Sequence, residues 1–189
     1  GVAKTEAHNL GVVPELMILK CRSDPGRYWA TYYGDPTKLL QLNDSVASAT
    51  APHWNNTAPT ELVFSLGAQG QVNASPLTYV AYLFATLAGV SKVGSYTGTG
   101  ANLNVDCGFS AGARFILIKR TDSTGDWYYW DSVRGIVAGN DPYLLLNTTA
   151  AEVTNTDYID PLSSGFTVTS SAPAALNASG GTYIFLAIA

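Results

Sequence analysis

NASGGTYIFLAIA at residues 177–189 and NASPLTYVAYLFA at residues 73–85 are two writings of one segment. Whether that segment is helix or strand decides the fold. Taken alone, the upstream copy suits a helix, with Pro76 in the first turn. Its twin follows Gly180-Gly181 and is rich in Ile, Phe and Tyr, which suits a strand. One segment written twice takes one conformation, so both copies are read as strands.

The repetition extends outward from this pair. Leu42-Asn43 ends the run LLQLN and Leu146-Asn147 ends YLLLN, each thirty residues before its NAS triplet. Further upstream, PELMILKCRSDPGRYW at residues 14–29 matches ARFILIKRTDSTGDW at residues 113–127, which sets Lys20 against Lys119 and Trp29 against Trp127. The two quasi-repeats span 11–85 and 112–189, with 86–111 as connector. GSYTGTG at residues 94–100 reads as a flexible or tightly turned part of that connector. Two copies are too few for a solenoid, which buries a continuous core by stacking three or more. The expectation is one domain over 1–189 with pseudo-twofold symmetry.

Each copy offers short apolar runs: LMILK, YWATYYG, KLLQL and ELVFSL in the first, FILIK, WYYWDS, YLLLN and FTVTSS in the second. SDPG, GDPT, DSTG and GNDP between them are turn chemistry. Eight to ten strands with almost no helical periodicity predict an all-β fold, a β-sandwich that is jelly-roll-like in the broad sense. LMIL, FILI and IFLAIA are apolar at consecutive positions, whereas a one-sided strand alternates, so both faces are expected to be covered. A second subunit is one way to cover them, and a homo-oligomer is expected on that ground.

Charged residues make up 13% of the chain and the net charge is −4. A nucleic-acid partner calls for clustered Lys and Arg to neutralise phosphates, and the ten basic residues here are scattered. The longest apolar run, residues 77–87, falls short of the ~20 residues a membrane-spanning helix needs, and no secretory leader stands at the start. A soluble chain with no membrane partner is expected. It opens at Gly1 without Met and stops inside a strand-like run, as a fragment of a longer protein does. Cys21 and Cys107 occupy non-matching places in the copies, so they form no disulfide framework.

One catalytic pattern matches: GFSAG at residues 108–112 fits the nucleophile elbow, with Ser110 as nucleophile. An elbow needs a helix after the serine, and here ARFILIKR, a strand, follows. His8 and His53 both precede Ser110, the wrong order for that fold, and the other copy has Gly11 in its place. Asp126 and Asp131 flank WYYW, but five strand residues span about 16 Å and the odd spacing sends the side chains to opposite faces. Glu152, Asp157 and Asp160 fall in a polar stretch that reads as a solvated loop. Asp157 and Asp160 suit a calcium ion by type, but no run of oxygen ligands accompanies them. No enzyme activity, metal or cofactor is expected. Asn73, Asn147 and Asn177 each begin an N-x-S/T triplet, and they read as turn residues rather than glycan acceptors.

The repeat sorts the tryptophans. Trp29 and Trp127 hold matching places and are expected to pack the core. Trp54, in PHWNNT, and Trp130 have no twin, so they are candidates for surface contact, where an indole stacks on a sugar or packs on a partner. Arg134 joins them from SVRGIVAGND at residues 132–141, a stretch that lengthens the second copy.

HNLGVVPELMILKCRS, KRTDSTGDWYYWDSVRG, GSYTGTG and NASGGTYIFLAIA resemble a β-rich domain, itself of unknown function, of tail-fibre and other virion-surface proteins of tailed bacteriophages. The resemblance covers essentially the whole chain. It implies a non-enzymatic structural module of a virion appendage, oligomeric and by analogy trimeric, made in the host cytoplasm and exposed on the particle. The chain departs from that pattern at GFSAG, where the family has Gly-Phe-x-Pro, and in lacking the Glu that follows the final alanine. The alternatives carried beside it are a carbohydrate-binding, lectin-like module stacking on Trp54 or Trp130, with a host-surface glycan as partner, and a head-decoration or head-fibre protein.

Overall fold

The computed structural model describes residues 1–189. Strand accounts for 38% of the chain and helix for 6%, in several antiparallel sheets, so the fold is all-β and sandwich-like. The chain divides into two compact units, residues 1–43 with 48–85 and residues 44–47 with 86–189.

The first unit holds β1 (Lys4–Ala7), β2 (Leu16–Cys21), β3 (Ala30–Tyr32), β4 (Lys38–Gln41), β5 (Ala49–Thr50), β6 (Val63–Leu66), the single turn α1 (Gly70–Asn73) and β7 (Tyr79–Phe84). One sheet runs in the order β5-β4-β3-β2-β7 and the second pairs β1 with β6. Met17 and Leu19 from β2, Tyr32, Leu39, Trp54 and Phe64 make its core. Alternate residues of β2 point to opposite faces, yet Leu16, Met17, Ile18 and Leu19 are all buried. The consecutive apolar run therefore reports a strand covered on both faces.

The second unit holds β8 (Ser91–Thr97), β9 (Leu103–Asp106), β10 (Phe115–Arg120), β11 (Trp127–Asp131), β12 (Leu144–Leu145), β13 (Ile159–Leu162), β14 (Gly165–Val168), the turn α2 (Ala174–Asn177) and β15 (Thr182–Ile188). Its sheets run β12-β11-β10-β15-β8 and β13-β14-β9. Ile116, Ile118, Tyr128, Trp130, Phe166 and Phe185 belong to its core.

The NAS triplets do the same work in both units. Asn73 donates through Nδ2 to the carbonyls of Val2 (2.7 Å) and Gly67 (3.0 Å), and Asn177 to those of Ala101 (2.8 Å) and Thr169 (3.0 Å). The hydroxyl of Tyr79 donates to Gly70 O and accepts from Ala74 N, and Tyr183 repeats this with Ala174 O and Ala178 N. Asn43 and Asn147 each accept the backbone N–H of a tryptophan, Trp29 or Trp127, at 2.8 Å. The asparagines are turn fasteners because one amide both donates and accepts at a site where backbone groups would otherwise be buried unpaired.

Several expectations need correction. In place of one core common to both copies, the buried apolar residues form two clusters, one per unit, because each copy carries a second sheet of its own. The first unit starts with β1, ahead of residue 11. The stretch 86–111 supplies β8 and β9 rather than a connector. GSYTGTG reads as a turn because of its glycines, but Gly94 lies in β8 opposite Phe185, where a Cβ would stand 2.6 Å from the ring. Asp160 belongs to β13, not to a loop. Pro161 beside it is tolerated because β13 is an edge strand. Cys21 and Cys107 are both buried and free.

Candidate functional site

The strands TYVAYLFA and TYIFLAIA, alike in sequence, differ in what lies along their outer edges. β15 is paired on both sides, with β10 and with β8. β7 is paired with β2 alone and ends its sheet. Glu15 N donates to Phe84 O (2.9 Å) and Arg22 N to Thr78 O (2.8 Å), which places the even-numbered residues of β7 in the ladder with β2. By the alternation of antiparallel strands, the N–H and C=O groups of Tyr79, Ala81 and Leu83 face the open edge. Their counterparts Tyr183, Phe185 and Ala187 are all buried; Ala81 is exposed, and Tyr82 is 48% exposed.

Beside this edge a groove of about 460 Å³ opens between β7 and the β1–β6 pair. Leu19, Phe64, Leu66, Val72, Ala81 and Leu83 make it apolar, and Tyr79 stands at its β7 side. The mouth is polar: Lys4 and Glu6 form an ion pair at 2.5 Å. His8 lies over Phe64 with ring centroids 6.3 Å apart; its Nε2 lies 3.1 Å from Thr60 O and its Nδ1 3.2 Å from Leu10 N. An apolar slot with a few polar groups at its rim, next to three free pairs of backbone donors and acceptors, is suited to hold an extended chain.

In the second unit the chain's own residues fill the equivalent place. Tyr96 of β8 stacks on Tyr183 with centroids 4.8 Å apart and planes 12° apart, donates to Leu176 O at 2.7 Å, and lies 6.4 Å from the Phe185 ring. The counterparts of Tyr183, Leu176 and Phe185 are Tyr79, Val72 and Ala81, three residues that line the groove.

The residues singled out from sequence lie elsewhere, and the structure does not bring them together. Trp54 is fully buried in the first unit, set by the short 3₁₀ turn Pro52–Trp54, with Nε1–H donating to Lys38 O (2.8 Å) and its ring edge-on to Tyr32. Trp130 is fully buried in the second, packed on Tyr128 and Tyr143. Neither indole presents a face to a sugar, which corrects both surface assignments; each ring is large enough that its core could not close without it. Arg134 pairs with Asp131, bonds Glu152 at 3.3 Å, and lies over Tyr129 at 5.4 Å, so it holds its loop to β11. Trp127 is buried as expected, whereas Trp29 is half-buried with Lys20 Nζ 5.9 Å from its ring. Ser110 sits exposed in the bend before β10.

Two buried ionisable groups of the second unit escaped the sequence reading. Lys119, fully buried, donates to Gly125 O (2.6 Å) and Ser45 O (3.0 Å); burial pulls its pKa down to about 8, against the nearby charges of Asp126 and Asp44. Asp141, also fully buried, accepts from Tyr158 N (2.9 Å) and Ile159 N (3.2 Å), and burial pushes its carboxyl up to about 7. Both have backbone partners and neither lines the groove, so they fasten loops. Only the pairing of Lys119 with Lys20 across the repeat hinted at a buried lysine.

These features define an all-β chain of two like units: in one, β8 covers the edge of β15, and in the other the equivalent edge of β7 is open above an apolar groove. The model of a family described as a domain of unknown function, DUF7483, matches residues 1–189, and the chain belongs to that family. No curated protein and no solved structure matches it.

Proposed function

We propose that the chain is a non-enzymatic structural module of a phage virion appendage, a tail fibre or spike, working as a homo-oligomer and touching the host surface. The observation that carries this reading is the open β7 edge. Proteins that stay single blunt such edges with charges, prolines or covering loops, because unpaired backbone groups recruit other strands. Residues 77–90 hold no charged side chain at all. The low overall charge and the motifs resembling virion-surface domains support the same reading.

Sedimentation of the whole chain over a wide concentration range tests the assembly, and mass spectrometry of particles from a phage encoding it tests the location. The reading expects a mass of several chains, with a trimer favoured by analogy, and peptides of this chain in purified particles. A chain that stays at 19.9 kDa throughout and is missing from the particles contradicts it. With Trp54 and Trp130 in the cores, no observation favours the lectin-like alternative.

A further inference from the structure

We propose that the first unit is completed in trans: the β7 edge takes an extended strand from a neighbouring polypeptide, antiparallel to β7, with a tyrosine of that strand seated in the groove on Tyr79. This deepens the assembly reading and rests on it, since it names what the open edge binds.

The second unit supplies the template. There β8 runs antiparallel along β15, with Tyr96 opposite Tyr183 and Gly94 opposite Phe185. Tyr96 makes three contacts: the stack on Tyr183, the hydrogen bond to Leu176 O, and the approach to Phe185. In the first unit the receiving side of the stack and of the hydrogen bond is in place, while Ala81 stands where Phe185 makes the third contact. Tyr79 is held by Gly70 O and Ala74 N as Tyr183 is held by Ala174 O and Ala178 N. Val72 stands where Leu176 does, and the groove lies between them. What is missing is the strand and its ring. The three outward N–H and C=O pairs of Tyr79, Ala81 and Leu83 match the ladder positions that Tyr183, Phe185 and Ala187 use toward β8.

The two sites differ at one position, and this sets the donor's chemistry. Phe185 covers the sheet so closely that only glycine fits opposite, whereas its counterpart Ala81 leaves the space open. The donor strand therefore carries a large apolar residue facing Ala81, a tyrosine two positions on facing Tyr79, and no charge facing the uncharged β7.

The test uses a synthetic peptide with the sequence of residues 90–98 carrying Lys92→Thr and Gly94→Leu, titrated into the isotope-labelled whole chain and read by amide chemical shifts. The expected result is a shift and slowed solvent exchange at Tyr79, Ala81 and Leu83, lost when the peptide also carries Tyr96→Ala. Register is read separately by disulfide trapping, because Val80 faces the place that Ser95 takes opposite Ile184. A Val80→Cys chain should crosslink to a peptide cysteine at the Ser95 place in preference to one at the Lys92 place. Shifts that map away from β7, no shift with no register preference, or amides of Tyr79, Ala81 and Leu83 already protected in the dilute chain without peptide, each overturn the proposal. Sedimentation reads the assembly independently. An oligomer whose Tyr79, Ala81 and Leu83 amides stay open refutes the strand site alone, and strand capture by a chain that never assembles refutes the appendage reading alone.

Discussion

Asn177 carries four hydrogen bonds on one buried side chain: it accepts from Thr99 N (2.9 Å) and Gly100 N (3.2 Å) and donates to Ala101 O and Thr169 O. Truncating it leaves buried backbone groups unpaired, each costing about 1–3 kcal/mol. Asn177→Ala is expected to lower unfolding stability in urea by about 2–4 kcal/mol. Asn177→Asp fails as well, since a carboxylate cannot donate to the two carbonyls; rescue by aspartate would contradict this role. The asparagines were legible in the sequence because the same triplet recurs at one spacing and only a group that both donates and accepts serves there. Trp54 and Trp130 were not. Lacking twins, they read as surface residues, but an unrepeated loop can as readily tuck an indole inward, as Pro52–Trp54 does.

Asp141 and Lys119 give the second unit a signature in pH. Folded Asp141 keeps its proton to about pH 7, while an unfolded carboxyl releases it near 3.8. The folded state binds more protons in that window, so this group's contribution to stability falls as pH rises from 4 to 7. Lys119 works in the opposite sense: the folded amine loses its proton near 8, the unfolded one near 10.5, and its contribution rises as pH climbs above 8. Denaturation curves at pH 4, 5.5 and 7 should show a shallower decline, or a steeper rise, for Asp141→Asn than for the unaltered chain. Equal slopes would mean that the carboxyl is ionised in the folded state.

At the scale of elements, the strands that alternate or run apolar were readable, and those whose pattern is broken by a functional constraint were not. β8 hid behind Gly94, which reads as a turn and is there because the Phe185 ring lies where a Cβ would be. β13 hid behind Asp160 and Pro161, which an edge strand tolerates. Overpacking against the ring should make Gly94→Val cost about 1–3 kcal/mol. The converse change, Ala81→Phe, puts the β15 residue into β7 and fills the groove. It should leave thermal stability nearly unchanged and reverse the preference of the β7 edge, from a donor with leucine facing position 81 to one with glycine. An unchanged preference would mean that the groove does not select the strand.

On the scale of the whole molecule, the doubling was plain from LMILKC and FILIKR, the paired tryptophans and the NAS segments. In place of one shared core, each unit holds two sheets and closes a core of its own. The sequence reading could not see this, because the second sheets draw on β1 and β9, which lie outside the recognisable repeat. Nor could it see that the first unit lacks counterparts of β8 and β13. The second unit holds β8, and the first has an open edge in its place. The appendage reading and the strand-capture proposal both start from that asymmetry.

Native-state hydrogen exchange on the whole chain at low concentration tests it most directly. The account predicts strong protection at Tyr183, Phe185 and Ala187 and fast exchange at Tyr79, Ala81 and Leu83, although the two strands are written almost alike. Equal protection of the two sets in the dilute chain would contradict it.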